Sequence, residues 1–439
     1  MHKRALGAVA VSGVAALALS ACGGSSPTTP SNTAAGSSQA ATTTTTAAAP
    51  AATTTAAPVR DASVDLVIWT DNDRAPAIKK YADQFGQEQG IKVSVQVAPD
   101  VRANFKDATN AGKGPDVIVG AHDWLGELVQ NNAVSPINLS SDLQSKFLPA
   151  AVAATKFNGQ IYGVPYAIEN IGLVRNTALA PDAPKTYEEI VAKGQALVKA
   201  GKADGIVVQE VSKVGNAYYT YPYLKAFGGG IFAQKSNGDY DPNKVIVDSP
   251  GSIKGAQQLQ KLGQMKVLST NVDGTNADAL FDSGKYPYFI TGPWAIDKAK
   301  KANIKYAISS LPTIDGGQMS PFLGVQMFYV SAKAKNKAFA EEFVTKYVPN
   351  KDLQVDLFKV GNRPPALAEA YAEVAATNPD VKAWYEAGQG ALPMPNIPAM
   401  NAVWGPLGQA GADVISGKTP PKERFDAAAK EIETNIKKG

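Results

Sequence analysis

The chain has 439 residues, with 43 basic and 39 acidic side chains and a formal charge of +4. This near balance, without a long basic run, gives no electrostatic case for nucleic acid, which is usually bound by a clustered basic face. The only cysteine, Cys22, excludes an intrachain disulfide and a thiolate metal cluster, so stability must come from a hydrophobic core, and a chain this long can bury a large one.

In chain order, the first element is a targeting segment. Met1-His2-Lys3-Arg4 is a basic n-region, and Ala5 to Leu19 is an apolar h-region too short and too Ala-rich for a membrane span. It ends in Leu19-Ser20-Ala21-Cys22, which is similar to a bacterial lipoprotein box. Residues 1–21 therefore read as a lipoprotein signal peptide and Cys22 as the acylated anchor, holding the protein on the outer face of the cytoplasmic membrane, as in Gram-positive bacteria. Loss of Lys3 and Arg4 leaves 41 basic against 39 acidic residues, an excess of +2. Residues 22–60 are almost entirely Ala, Thr, Ser, Pro and Gly, with no aromatic residue and no charge before Arg60. Such a stretch cannot bury enough apolar surface to offset its ordering entropy and reads as a disordered tether. Its reach is roughly 35 Å as a coil.

The folded part is expected to begin near Val64. Val64 to Trp69 is a continuous apolar strand, as in a buried parallel sheet. Ile78, Tyr81, Ala82 and Phe85 recur at helical spacing before Gly90. Ile91, Val93, Val95 and Val97 alternate as a strand, Val101 to Thr109 reads as a short helix, and Asp116 to Val119 is the next strand. This βαβαβ order predicts helices on a mainly parallel sheet. Ligands of open α/β sheets gather at the carboxyl ends of strands. That singles out Asp71, Asn72, Asp73 and Arg74 after the first strand, and His122, Asp123 and Trp124 after the third. For Asp123, a helix cap and a ligand contact are both open. Farther on, Ile206-Val207-Val208 and Tyr286 to Ile290 read as strands, and Ser252 to Lys266 and Thr275 to Asp282 as helices. The last third is mostly helical, with Phe339, Phe343 and Tyr347 on one face and Phe425, Ala429, Ile432 and Ile436 on another. Two lobes are the simplest arrangement for about 380 residues.

Familiar catalytic patterns are missing. Once His2 leaves with the signal, His122 alone cannot build a zinc site, and no G-x-S-x-G elbow supports a serine triad. Gly417-Lys418-Thr419 lacks the spacing of a phosphate loop, and Asp239 to Asn243 lacks the turn glycine of a calcium loop. No metal or cofactor is expected. What is present is aromatic residues beside turns, in Tyr218 to Tyr223, Gly292-Pro293-Trp294, and Met394 to Trp404. A pyranose presents a C–H face ringed by hydroxyls, so its capture calls for flat aromatic surfaces plus carboxylates or amides. Each aromatic taken singly also fits a core position.

With these residues in view, the chain from about Val64 to its end resembles the maltose/maltodextrin-binding proteins of ABC importers. The matching segments are LVIW with DNDR, GPDVIVGAHDWL, NGQIYGVPYAIEN, PKTYEEI, AYYTYP, ALFDSGKYPYFITGPWAI and MPNIPAMNAVW, in family order with a short insertion before AYYTYP. The resemblance implies an α/β, two-lobed periplasmic-binding-protein fold of type II, with 61–168 plus 325–376 in one lobe and 169–324 plus 377–439 in the other. It implies crossings near Ala167–Gly172, Leu323–Met327 and Glu373–Asp380. It implies an oligosaccharide receptor rather than an enzyme, monomeric, delivering its ligand to the permease subunits. Position by position it implies that Asp73, Arg74, Asp123 and Glu169 bind hydroxyls, that Tyr218, Trp294 and Trp404 stack on sugar, and that Met394 makes a lesser contact. Gly120 departs from the pattern, standing where those proteins carry a cleft Trp. Trp124 stands where they carry Arg and is expected to replace part of the lost aromatic surface. Gly408 stands for a basic cleft residue. Asn216 stands for a Glu whose place Glu210 can take across the insertion. The competing readings are the same fold serving trehalose, another disaccharide or a cyclodextrin, and a glycoside hydrolase using two of Asp73, Asp123 and Glu169.

Overall fold

The computed structural model describes residues 58–236 and 239–438, so the expected signal peptide, Cys22 and most of the tether lie outside the described residues. Among the described residues no helix is long and apolar enough to cross a membrane. The residues build an α/β fold around two sheets, each with its own hydrophobic core.

The first sheet runs in the order Leu392–Pro393, Phe322–Val330, Val117–Ala121, Leu66–Thr70 and Val93–Val97, with Gly163–Glu169 on the other flank of Phe322–Val330. Leu66–Thr70 is buried throughout and pairs in parallel with both Val93–Val97 and Val117–Ala121, as its unbroken apolar run predicts. Helix Ala75–Gln89 covers this sheet with Ile78, Tyr81, Ala82 and Phe85, and ends at Gly90 in the left-handed region (φ 66°). Phe85 meets Phe339, Phe343 and Tyr347 edge-on at 6.4, 5.5 and 5.4 Å between centroids. Each such pair adds about 0.5–1.5 kcal/mol beyond area burial.

The second sheet runs Tyr306–Ser309, Gly172–Asn176, Tyr288–Thr291 and Val207–Gln209. Only Tyr288–Thr291 with Val207–Gln209 is parallel, so this sheet is mixed. Gly172–Asn176 is antiparallel to both its neighbours, and it follows Gly163–Glu169 of the first sheet after only two residues. Helices Ala217–Lys225, Pro250–Gln264 and Trp404–Ile415 pack together beside this sheet around Tyr223, Leu259 and Leu407. Ala368–Thr377 ends at Asn378, whose side chain caps Pro379–Ala387, accepting from the Asp380 amide at 3.0 Å. Trp384 of that second helix is buried with Val174 and Phe289 of the second sheet.

Order begins earlier than Val64. Arg60, read above as the last tether residue, is only 6% exposed and forms an ion pair with Asp116, which is wholly buried. The uncharged run before Arg60 hid this, because the partner lies 56 residues away.

Candidate functional site

The turns after two strands carry tryptophans in the same way. Val117–Ala121 leads into the short 3₁₀ turn His122–Trp124, and Tyr288–Thr291 into Pro293–Ala295. In each case the indole lies over a glycine of the preceding strand end. A Cβ on Gly120 would fall 1.9 Å from Cζ3 of Trp124, and one on Gly292 would fall 2.3 Å from Cη2 of Trp294. Trp124 thus occupies the space that a side chain at position 120 would need. Gly120→Ala is therefore expected to dislodge the indole and cost about 1–3 kcal/mol by overpacking. Adding Trp124→Ala should restore most of the loss. Thermal melts and near-ultraviolet circular dichroism of the two variants check this, and a Gly120→Ala protein with unaltered spectrum and melt would refute it.

His122 is consumed by the backbone. Its Nδ1 accepts from the Val325 amide at 3.1 Å, which leaves Nε2 as the donor to the Met394 carbonyl, also at 3.1 Å. Burial pushes its pKa below the ordinary value, so it stays neutral and serves as a staple rather than a base. Asp123 beside it caps no helix. Its buried carboxyl is raised by desolvation, an effect that Arg102 at 3.4 Å opposes. Arg102 also pairs with Glu127 at 3.1 Å and donates to Asn401 at 3.2 Å.

A second charge pairing joins Glu169 with Arg363. Glu169 ends the strand Gly163–Glu169 and accepts from Arg363 Nε and from Gln326 Nε2 (2.8 Å). Burial alone would raise this carboxyl, but Arg363 and Gln326 hold it below the usual glutamate value. The Arg363 guanidinium also lies over the Trp294 ring, 5.5 Å from its centroid.

These groups meet in one cavity of about 410 Å³, lined by Ala121, Asp123, Glu169, Glu210, Asn216, Tyr218, Tyr219, Trp294, Arg363, Met394 and Trp404. Tyr218 sits 6.4 Å from Trp294 and 6.1 Å from Phe322, and Phe322 sits 6.5 Å from Trp404. The Tyr218 hydroxyl and the Trp404 indole nitrogen are buried without a hydrogen-bond partner among the described residues. Two larger grooves, of about 880 and 830 Å³, contain no tryptophan and one carboxylate each. The smaller cavity has the chemistry they lack.

Of the residues singled out from the sequence, Asp123, Glu169, Tyr218, Trp294, Met394 and Trp404 line this cavity. Asp73, Arg74 and Trp124 do not. Trp124 lies beside it, over Gly120. Asp73 is exposed. Arg74 is buried, paired with Asp71 at 3.1 Å and 5.8 Å from the Tyr166 ring centroid. Sequence reasoning missed Arg363 and Tyr219. Tyr219 lay inside the aromatic run already noticed. Arg363, in Gly361-Asn362-Arg363-Pro364-Pro365, has no local signal, since its partner is 194 residues away.

Comparison with known proteins agrees with this architecture. A profile of the bacterial extracellular solute-binding proteins matches residues 80–388. The galactooligosaccharide-binding protein of Bacillus subtilis is 28% identical over 382 residues, covering 85% of this chain and 90% of that protein. The maltotriose-binding protein of Pyrococcus abyssi is 28% identical over 359 residues, covering 79% and 76%. A maltooligosaccharide ABC transporter solute-binding lipoprotein of Streptococcus pneumoniae R6 is 27% identical over 382 residues, covering 85% and 89%. With a two-core α/β fold and a family match over most of its length, the chain belongs to the bacterial extracellular solute-binding proteins.

Proposed function

We propose that this chain is the receptor of an ABC importer and captures a maltose- or maltodextrin-type oligosaccharide in the 410 Å³ cavity. One observation supports this most. Three carboxylates, Asp123, Glu169 and Glu210, line one space with the aromatic residues Tyr218, Tyr219, Trp294 and Trp404. A pyranose offers a C–H face to such rings and hydroxyls to such carboxylates. In this reading Trp294, Trp404 and Tyr218 stack on sugar faces, Asp123 and Glu169 accept its hydroxyls, and Met394 fills a lesser contact. Asp73, Arg74 and Trp124 then act at the margin of the site. The lobes, 61–168 with 325–376 and 169–324 with 377–439, close on the ligand and present it to the permease. A monomer tethered through acylated Cys22 would do this from the outer face of the membrane.

Its relatives are binding proteins, and the chain is a binding protein rather than an enzyme. A second reading, galactooligosaccharide as ligand, is favoured by the Bacillus subtilis relative.

A thermal-shift panel on residues 58–439 separates these readings, using maltose, maltotriose, maltotetraose, β-cyclodextrin, trehalose and β-1,4-galactobiose. A ligand bound only by the folded state adds about 2.7 kcal/mol at a hundredfold excess over Kd. Shifts confined to α-1,4 glucosides support the maltodextrin reading. A shift with galactobiose alone moves the specificity and keeps the role, and silence throughout overturns the sugar reading. Trp294→Ala should weaken the responding sugar about tenfold or more, given roughly 1.5–3 kcal/mol for burying a large apolar side chain.

A further inference from the structure

His122 stands inside a strand ladder. Leu392–Pro393 runs parallel to Phe322–Val330, with Phe322 opposite Leu392 and Leu323 opposite Pro393. Met394 continues this ladder, its amide donating to the Leu323 carbonyl at 3.2 Å. The even spacing of a parallel ladder would next give a bond from the Val325 amide to the Met394 carbonyl. The imidazole takes both groups instead, one at each ring nitrogen and each at 3.1 Å. Val117–Ala121, the strand that leads into His122, pairs with Gln326–Val330, so Gly324 and Val325 lie between the stretches held by the two strands. A direct N–H···O bond would hold its two groups about 2.9 Å apart. The interposed ring spaces them wider, so the chain leaves the sheet at Met394.

The segment that leaves carries part of the cavity wall. Met394 lines the cavity, and so does Trp404 farther along. Met394, Met400, Val403 and Leu407 are buried in the core beside the second sheet, whereas Val325 belongs to the core of the first. The ring therefore joins the two cores at the wall itself. Two other polar contacts of this segment, Asn396 Nδ2 to the Lys156 carbonyl at 2.9 Å and Arg102 to Asn401 at 3.2 Å, involve no residue that lines the cavity. Asp123, which does line it, directly follows the ring in the chain. The bridge works in one protonation state. Nδ1 must be bare to accept from Val325, and Nε2 must carry the proton for Met394. His122 is 0% exposed, and burial disfavours its charged form, which keeps Nδ1 bare.

Resting on the sugar-binding reading, we infer that His122 is a positioning residue for sugar capture: its imidazole replaces a ladder bond and so sets where Met394 and the segment bearing Trp404 stand relative to Asp123 across the cavity. The ring touches no sugar. It acts through the Met394 carbonyl, and the Val325 bond holds the ring in place.

Asparagine and glutamine separate the two halves of the bridge, because Asn carries its amide at the depth of Nδ1 and Gln at the depth of Nε2. His122→Asn keeps an acceptor for Val325 and loses the donor to Met394. His122→Gln keeps the donor and loses the acceptor. Isothermal titration of residues 58–439 and of both variants with maltotriose and with β-1,4-galactotriose tests the inference. For the sugar that binds, Asn is expected to weaken affinity about tenfold, the scale of one lost hydrogen bond, and Gln to restore it to within about twofold of wild type. Equal affinities in all three proteins, with only the melting temperatures lowered, would make His122 merely structural and overturn the inference, as would Gln weakened as much as Asn. Silence of the wild type with both sugars overturns the sugar reading and the positioning role with it. A second measurement needs no variant. His122 is the only histidine in residues 58–439, so nitrogen-15 NMR of the imidazole reads this ring alone. A single neutral ring protonated at Nε2 is expected at pH 7. Protonation at Nδ1, or exchange between the two forms, overturns the bridge and leaves the sugar reading intact.

Discussion

Replacing Arg363 by methionine is expected to destabilise the protein by about 3–5 kcal/mol at neutral pH, the usual consequence of removing one partner of a buried ion pair. Glu169 is 7% exposed, and without the guanidinium its carboxylate keeps only Gln326 as a side-chain donor. The loss has a characteristic pH dependence. In the wild type the Glu169 pKa is depressed below 4.5, so its contribution is present above that value and fades as pH falls through the folded pKa. In the variant, burial acts unopposed and the carboxyl protonates more readily. The gap between wild type and Arg363→Met should therefore be widest near neutrality and narrow on acidification. Adding Glu169→Gln removes the stranded charge and should recover most of the stability but not ligand binding, since two of the four carboxylate and guanidinium side chains that line the cavity are then gone. Denaturant titrations of the three proteins at pH 7 and at pH 5 measure this. A single variant as stable as wild type, or a gap that widens in acid, would show that the pair does not hold the strand Gly163–Glu169 to the Arg363 turn.

The second large effect concerns where the folded body starts. A protein beginning at Asp61 should be less stable than one beginning at Pro58 by about 3 kcal/mol, the lower end of the range for breaking a buried pair. The lower end is appropriate because Asp116 has other donors. Its Oδ2 accepts the Val67 amide at 2.8 Å and its Oδ1 accepts the Lys335 amide at 2.7 Å. Those bonds tie the strand Leu66–Thr70 to the turn before helix Lys337–Lys346, and Arg60 adds the neutralising charge. The Val59 carbonyl accepts from Gln96 at 3.0 Å, so the longer protein also gains a contact along the sheet edge. Comparing melts of residues 58–439, residues 61–439 and the longer protein with Arg60→Met separates the charge from the extra backbone. Coincident melts for all three would refute the clamp.

Much of the secondary structure was legible in the sequence because the signals are local. An unbroken apolar run gave Leu66–Thr70, a 3.6-residue period gave Ala75–Gln89, and alternation gave Val93–Val97. Aromatic residues beside turns pointed to Tyr218, Trp294 and Trp404 because strand ends and helix starts are where side chains converge in α/β layers. The resemblance carried over Asp123, Glu169 and Met394, which meet in the same cavity. Asp73 and Arg74 were read by the same means, yet the cavity does not include them.

Burial periodicity reports whether a side chain points inward, over one or two turns of chain. It does not say which distant group that side chain will meet. Composition and pattern therefore determined the α/β class and the aromatic segments of the site. Only the tertiary structure decided that Arg363 faces Glu169 across 194 residues, that Arg60 neutralises Asp116, that Trp124 lies over Gly120, and that Gly215 rests on Gly408. Each of these is a choice of polar or steric partner, and such choices are fixed by how the strands and helices stack rather than by any signal within them.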